Sequence, residues 1–387
     1  MDLRILKAAV FTPTSKGWGL PLLFWGDSGV GKSDVIEDFG RRWRLPVVVL
    51  APGEMGEGAF GVTPVPKDIG NGVMRMTYPA PDWLDMFEDF DGRGIVFCDE
   101  LTTAEPHIQA AELGLINSRR IGGHYLGSGV RVLAAANDPR KAANGHELTP
   151  PLANRLGHID WSPPNEEEWG GYLVGTNGLA APTKSENDPA AEEKRVTEAW
   201  PVAWARASGL IATFHNRNRG NLYRQFESGH PLSGRAWPSH RSWTKATAAL
   251  ASADVHGLSE EESALLVSGF VGAGGVKSLL AFRAAMDLPD PADLLSGRTN
   301  WNHDPNRLDR SMAVLSTLAS YVLSQKISDP AKSPLVGKLW EFFDEVPGDD
   351  LVTMAAVPVV KARLSTHARA IKVLARLRPM LQAAGLL

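Results

Sequence analysis

A single cysteine, Cys98, stands in 387 residues. A lone thiol excludes an internal disulfide and a cysteine-built zinc cluster, and with them the stapled extracellular class. Long apolar runs are missing as well. None approaches the ~20 residues that a membrane helix needs, and the opening Met1-Asp2-Leu3-Arg4 lacks a secretory pattern. The cytoplasm is therefore the expected address, and no membrane partner is expected. Neither sign of charge dominates: Lys+Arg 40 against Asp+Glu 44 leaves a net charge of -4, so a global basic field for nucleic acid is absent, though a local patch remains open. No internal repeat of fixed period is present.

What is there reads as an ordinary globular chain. Apolar residues make up 43% and charged residues 22%, which fits neither wholesale disorder nor a coiled-coil rod. The length allows two or three domains. From Leu20 to Trp161, short apolar runs alternate with helix-like segments, the pattern of a mostly parallel sheet flanked by helices. Five runs qualify as strands: Leu20–Trp25, Pro46–Ala51, Gly94–Asp99, Val130–Ala136 and Leu156–Trp161. Between the second and third, the irregular stretch Gly53 to Pro81 carries Asn71-Gly72 before an alternating run from Val73 to Tyr78, a hairpin signal.

Beyond Trp161 the apolar period vanishes, and the polar, small-residue tract from Thr176 to Lys194 reads as a linker or insertion. From Trp200 onward helical spacing dominates, through Ala203, Ala207, Leu210, Ile211 and Phe214, then Leu308 to Leu323, then Arg363 to Leu386. The last 37 residues hold Lys361, Arg363, Arg369, Lys372, Arg376 and Arg378 without a carboxylate, with Leu364, Ala368, Ile371 and Leu374 at helical spacing. That describes a basic amphipathic helix, either a solvated face on a packed helix or a docking face for a partner or nucleic acid.

The chemistry concentrates at three strand ends. Gly26-Asp27-Ser28-Gly29-Val30-Gly31-Lys32-Ser33 matches the phosphate-loop pattern between a strand and a helix opened by Asp34, Val35 and Ile36. Glycines let backbone N–H groups curl around phosphate oxygens, Lys32 neutralises the β- and γ-phosphates, and the Ser33 hydroxyl is a Mg²⁺ ligand. Gly94 to Cys98 is an apolar strand ending in Asp99-Glu100, where a carboxylate faces the nucleotide crevice of open α/β sheets. Asp99 is placed to hold Mg²⁺ and Glu100 to orient the attacking water. Cys98 beside them is a redox sensor or plain packing. Asn137 ends another buried-looking strand, positioned for water or the γ-phosphate, or else for turn chemistry. Arg155 precedes the last strand, as an arginine finger for a neighbouring subunit or as a surface salt bridge.

With these residues in this order the chain resembles AAA+ ATPases, and within them the MoxR-like branch often paired with von Willebrand A-type proteins. The resemblance extends through Asp99-Glu100-Leu101-Thr102-Thr103-Ala104, Gln109-Ala110-Ala111 and Arg119 to Leu126, which look like that branch's Walker B element, helix and following hairpin. Ala135-Ala136-Asn137-Asp138-Pro139 looks like its sensor 1 segment and Leu152-Ala153-Asn154-Arg155 like its finger segment. Trp237-Pro238-Ser239-His240-Arg241-Ser242-Trp243 resembles the lid's sensor 2 segment, which makes Arg241 the expected arginine on the chain's own nucleotide. His240 departs from the smaller or proline-like residue expected there.

The resemblance implies a P-loop AAA+ core with a five-stranded, mostly parallel sheet over 1–165, a linker over 166–196, a helical lid over 197–290 and a helical extension over 291–387. It further implies an ATP-hydrolysing motor, using ATP and Mg²⁺, that works as a ring, typically a hexamer, and remodels a protein partner such as a von Willebrand A-type protein. By analogy, the hairpin at Asn71-Gly72 and the Arg119–Leu126 turn face a pore or partner, or else serve as passive covers for sheet edges. Two other readings stay open: an ATP-gated scaffold with little turnover, and a nucleic-acid motor that uses the basic helix.

Overall fold

A computed structural model of the chain describes residues 3–52, 55, 60–61, 63–141, 145–174, 187–218, 220, 223–224, 230, 233–383 and 385. Its centre is a sheet of five strands: β1 (Leu22–Trp25), β2 (Val47–Leu50), β3 (Arg93–Cys98), β4 (Gly129–Ala136) and β5 (Gly157–Asp160). All neighbours run parallel, in the order β5-β1-β4-β3-β2. The five expected strands are these five, with ends that differ by at most two residues. A parallel sheet is covered on both faces, which is why Leu22–Trp25 and Gly94–Cys98 are buried continuously instead of alternating. The fold is thus the α/β class expected, a phosphate-loop core followed by a helical C-terminal part.

The helices of the sheet's part of the chain are α1 (Leu3–Val10), α2 (Lys32–Trp43), α3 (Pro106–Ser118), α4 (Pro150–Ala153), the first turns of α5 (Pro189–Arg217), α6 (His240–His256) and α7 (Glu260–Val271). The hairpin at Asn71-Gly72 is present, pairing Val65–Asp68 with Met74–Thr77. Asn71 (φ 55°) and Gly72 (φ 73°) both take positive φ, the requirement of a tight two-residue hairpin turn. This hairpin and its shorter neighbour Arg120–Ile121/His124–Tyr125 each pair only with themselves, so neither is hydrogen-bonded to an edge of the central sheet. Residues 53–54, 56–59 and 62 of the irregular stretch lie outside the described residues.

Three expectations need correction. Residues 175–186 of the proposed linker lie outside the described residues, but its two ends are helical: Glu166–Leu173 forms one helix and α5 begins at Pro189. The missing apolar period misled because α5's first turns are fixed by charge. Glu193 pairs with the fully buried Arg131 (2.5 Å) and with Arg93 (3.2 Å), while Glu192 pairs with Lys7 (3.0 Å) and Arg195 (2.7 Å).

The second correction concerns the lid. The chain forms two compact units, Met1–Val196 with Tyr223–Gly275, and Thr197–Leu222 with Val276–Leu387, so the span 197–290 is divided between them. Helices α6 and α7 belong to the first unit for local reasons. Ser252 on α6 donates to the carbonyl of Ala8 in α1 (2.8 Å). On α7, Gly269 and Phe270 press against β5, where a side chain on Gly157 would collide with the Phe270 ring.

The third concerns the basic tail, in the second unit. That unit contains α8 (Leu308–Ser324), α9 (Pro334–Glu345), α10 (Asp349–Lys361) and α11 (Ala370–Ala383) around a core that includes Leu318, Trp340, Phe343 and Val373. The tail is two helices separated by a break at Arg363 (φ 59°), not one. Because the break resets the phase, the buried stripe is Ala370, Val373, Leu377 and Leu381, and Ile371 of the expected stripe is exposed. Three of the six cations are also engaged: Lys372 with Asp344 (2.7 Å), Arg376 with Asp349 (3.0 Å) and the Phe343 carbonyl (2.7 Å), and Arg369 with Glu341.

Removing one member of a buried ion pair strands the other charge, which typically costs about 3–5 kcal/mol. Glu193→Ala is therefore expected to lower the stability of the first unit by roughly 3 kcal/mol in urea unfolding. A change within about 0.5 kcal/mol, the range of ordinary surface substitutions, would refute this role for the α5 start.

Candidate nucleotide site

Strands β1, β3 and β4 end side by side, and the functional residues follow directly. Gly26 N–H donates to the carbonyl of Ala136 (3.1 Å) and Asp99 N–H to that of Leu50 (2.9 Å). These bonds bring the loop after β1, the acids after β3 and Asn137 after β4 to one crevice. Within the loop, Gly29 (φ 75°) and Gly31 (φ 78°) are left-handed, and a Cβ on either would meet no other atom. Glycine is required there by backbone conformation, not by space. Gly31 is the N-cap of α2, with Asp34 exposed in the first turn. Val30 is held from outside by Trp161 Nε1 (3.3 Å) and Asp27 by Lys141 Nζ (2.7 Å).

Lys32 is the centre of the crevice. Its Nζ donates to the carbonyls of Gly26 and Asp27 and to Asn137 Oδ1, each at 2.9 Å. Burial pulls its pKa down, while Asp99, Asp27 and Glu100 push it up. The other end of the Asn137 amide donates to Ser28 Oγ (3.0 Å), and the Asn137 carbonyl accepts from Thr102 Oγ1 (3.0 Å). Asn137 is therefore part of the crevice rather than a simple turn residue.

Ser33 Oγ donates to Asp99 Oδ2. A hydroxyl and a carboxylate oxygen in contact are a hard-oxygen donor pair that fits Mg²⁺, an ion that takes one or two protein oxygens and fills its octahedron with phosphate and water. Among the described residues, no group of three or more His, Cys, Asp and Glu forms a self-sufficient metal cage. Glu100 sits in the left-handed region (φ 52°), unusual for a non-glycine residue. Its N–H donates to Asp99 Oδ1 (2.8 Å), and its carbonyl accepts from Thr103 N–H (2.8 Å) and Thr103 Oγ1 (2.9 Å). Cys98 is fully buried behind these acids, and burial raises its pKa well above the ordinary thiol value, which suits packing.

Arg155 and Arg241 are not in this crevice. Arg155 leads into β5, whose Gly157 pairs with Leu22 at the start of β1, whereas the phosphate loop follows Trp25 at its end. Arg241, in the first turn of α6, lies with Arg155: each is within the other's field, and Lys245 feels both. The charges acting on Lys32 are Asp99, Asp27 and Glu100, with neither arginine among them. The structure thus sets Arg241 beside Arg155, whereas the resemblance implied a place on the chain's own nucleotide. Residues 237–242 explain the placement, since Asn154 donates to the Trp237 carbonyl (3.1 Å) and accepts from Ser239 Oγ (2.8 Å), which ties α6's capping box to the Arg155 segment. No carboxylate forms a salt bridge with Arg155 among the described residues, and its Nη1 donates to the Pro151 carbonyl (2.6 Å).

Sequence spacing missed three groups. Arg235 stacks over the Trp25 ring (4.0 Å) and meets Asp160 (3.2 Å) beside a groove of about 280 Å³ along the outer side of the loop. Trp25 Nε1 donates to His158 Nδ1 (2.9 Å), and His158 Nε2 donates to the Ala153 carbonyl (2.9 Å). Lys245 stands one turn after Arg241, and that i, i+4 spacing was its only signal.

No protein-family profile and no curated protein matches the sequence. Among solved structures, the chain is similar to a candidate ATPase from Cytophaga hutchinsonii ATCC 33406, with 11% identity and a TM-score of 0.48 over 72% of this chain and 88% of that one.

His158 generates a pH prediction. Burial, and then Arg235, lower its pKa from 6.5 to about 4, so the folded state holds it neutral. Between those values the unfolded chain binds the extra proton, so stability falls as pH drops from about 6.5 to about 4, by roughly 3 kcal/mol for this group. His158→Asn is expected to flatten that part of the urea-derived stability curve. An unchanged slope would remove His158 from the account.

Proposed function

We propose that the protein is an ATPase of the AAA+ class, of the MoxR-like branch, that assembles into a ring such as a hexamer and spends ATP hydrolysis on remodelling a protein partner. The observation that carries the reading is the convergence of Lys32, Ser33, Asp99 and Asn137 at the carboxyl ends of three adjacent strands. In this reading the loop N–H groups and Lys32 hold the phosphates. Ser33 and Asp99 hold Mg²⁺, which, when bound, neutralises charge developing between the β- and γ-phosphates. Glu100 accepts a proton from water as the water oxygen bonds to the γ-phosphorus. The bond from that phosphorus to the bridging oxygen breaks, and ADP departs with the electron pair. Asn137 fixes the water and the γ-phosphate.

Arg155 and Arg241 act on the nucleotide of a neighbouring copy in this reading, because both stand at the opposite end of the strands from their own loop. An arginine supplied across an interface is worth roughly 10³–10⁵ in rate. The partner-facing element is the Asn71-Gly72 hairpin, where Val73, Met74 and Met76 are more than half exposed. Contiguous exposed apolar groups are a usual mark of protein contact, and a von Willebrand A-type protein is the partner class that the resemblance suggests. A nucleic-acid role draws little support from the basic tail, where Arg369, Lys372 and Arg376 are matched by Glu341, Asp344 and Asp349.

Two measurements test this. Phosphate release under saturating MgATP is expected to be steady in the wild type, lost in Lys32→Ala together with nucleotide binding, and reduced by about 10²-fold or more in Glu100→Gln with binding retained. Turnover absent from the wild type would leave only a nucleotide-gated scaffold. Mixing Glu100→Gln with Arg155→Ala subunits should restore part of the activity, since each lacks a different half of a shared site. Full turnover by Arg155→Ala alone would show the finger to be misplaced.

A further inference from the structure

Cations gather at the start of β5 without a counter-charge. Lys245, half-buried on α6, donates its ammonium to the backbone carbonyl of Arg155. The charged groups that act on it are Arg241 from its own helix, Arg155 from the segment before β5 and Lys16 from the turn between Thr14 and Gly17. All are positive. Burial first, and then these three cations, draw its pKa down from 10.5 to about 7. Arg155 shares the predicament: its Nε is buried without a hydrogen-bond partner, and burial and Arg241 both lower its pKa. Among the described residues, no salt bridge joins a carboxylate to Arg155, Arg241, Lys245 or Lys16.

Like charges held together in a partly desolvated place repel, and the acceptors that meet three of them are neutral carbonyls: Arg155 for Lys245, Pro151 for Arg155 and Asn117 for Lys16. An anion with several oxygens would offset the repulsion, by accepting charge-assisted hydrogen bonds from the guanidinium groups. Lys245 differs from the arginines in its contact. Its bond to the Arg155 main chain fixes the turn between α4 and β5 from which that guanidinium projects.

We propose that Lys245 is the positioning residue of an anion site formed with Arg155 and Arg241, whose ligand is the terminal phosphate of a nucleotide held by a second copy of this chain. The source of that phosphate rests on the ATPase reading above; the anion site itself does not. Since an anion restores the charge balance, its binding favours protonated Lys245, and affinity weakens as pH rises through about 7.

The first test is complementation. Lys245→Met subunits are expected to turn over MgATP poorly alone and to regain activity when mixed with Glu100→Gln subunits, because the Glu100→Gln copy supplies an intact anion site to the neighbour's intact loop. Lys245→Arg is expected to restore most of the turnover that Lys245→Met loses. A silent mixture in which Lys245→Met remains folded and binds nucleotide normally would overturn the proposal, as would full turnover by Lys245→Met alone. Should Lys245→Met not fold, Lys245→Gln, which keeps a donor for the Arg155 carbonyl but not the charge, takes its place.

If the wild type does not hydrolyse ATP, the ATPase reading fails separately, and inorganic tripolyphosphate then decides the site. In Lys32→Ala protein, where its own loop is disabled, tripolyphosphate is expected to bind about tenfold or more weakly once Lys245→Met is added. It should also bind more weakly at about pH 8.5 than at about pH 6. Equal affinities across these comparisons would overturn the proposal.

Discussion

Everything in the crevice at the strand ends depends on one ammonium group. Lys32 is almost fully buried, which is costly for a cation, and it is tolerated because three oxygens at 2.9 Å and the field of three carboxylates meet it there. Two of those oxygens are main-chain carbonyls of the loop itself, and the third belongs to the residue after β4. The ammonium therefore joins two strand ends, and Ser33 next to it joins the third through Asp99. That geometry exists only because β1 lies between β4 and β5 in the sheet while β3 lies on the far side of β4.

The same sheet separates two kinds of charge. Lys32, Ser33, Asp99 and Asn137 lie where the parallel strands end, and Arg155, Arg241 and Lys245 lie where β5 and β1 begin. A four-residue strand spans about 10 Å at roughly 3.3 Å per residue, too far for a guanidinium at one end to touch a phosphate at the other. A continuous set of contacts nevertheless links the ends. Trp25, the last residue before the loop, bonds His158, which bonds the Ala153 carbonyl two residues before Arg155. The neutral imidazole is essential there, since it must accept from the indole and donate to the carbonyl at once.

The second unit looks different in its physics. Its helices bury an apolar core around Trp340 and Phe343, and their charged faces pair α9 and α10 carboxylates with α11 cations. Half of the six cations in a tail that is conspicuously basic by composition are thereby matched by carboxylates from two other helices. Net charge along a segment is a poor guide to surface field when the compensating residues come from another helix.

The sequence determined what is local. Five apolar runs bounded by glycine, proline or asparagine became the five strands, Asn71-Gly72 became a two-residue turn because both residues tolerate positive φ, and the phosphate loop was legible because its glycines, lysine and serine are contiguous. Tertiary structure decided what depends on partners distant in sequence. The first turns of α5 are held where Glu193 meets Arg131, buried in β4, and the phase of α11 followed from a break between two helices that helical spacing cannot register. Arg241, identical in sequence to any capped-helix arginine, was assigned to Arg155's end of the sheet by the bonds that Asn154 donates to the Trp237 carbonyl and accepts from Ser239 Oγ. Periodicity records which face of an element is apolar, but which charges come to share a low-dielectric place is settled only when the elements pack.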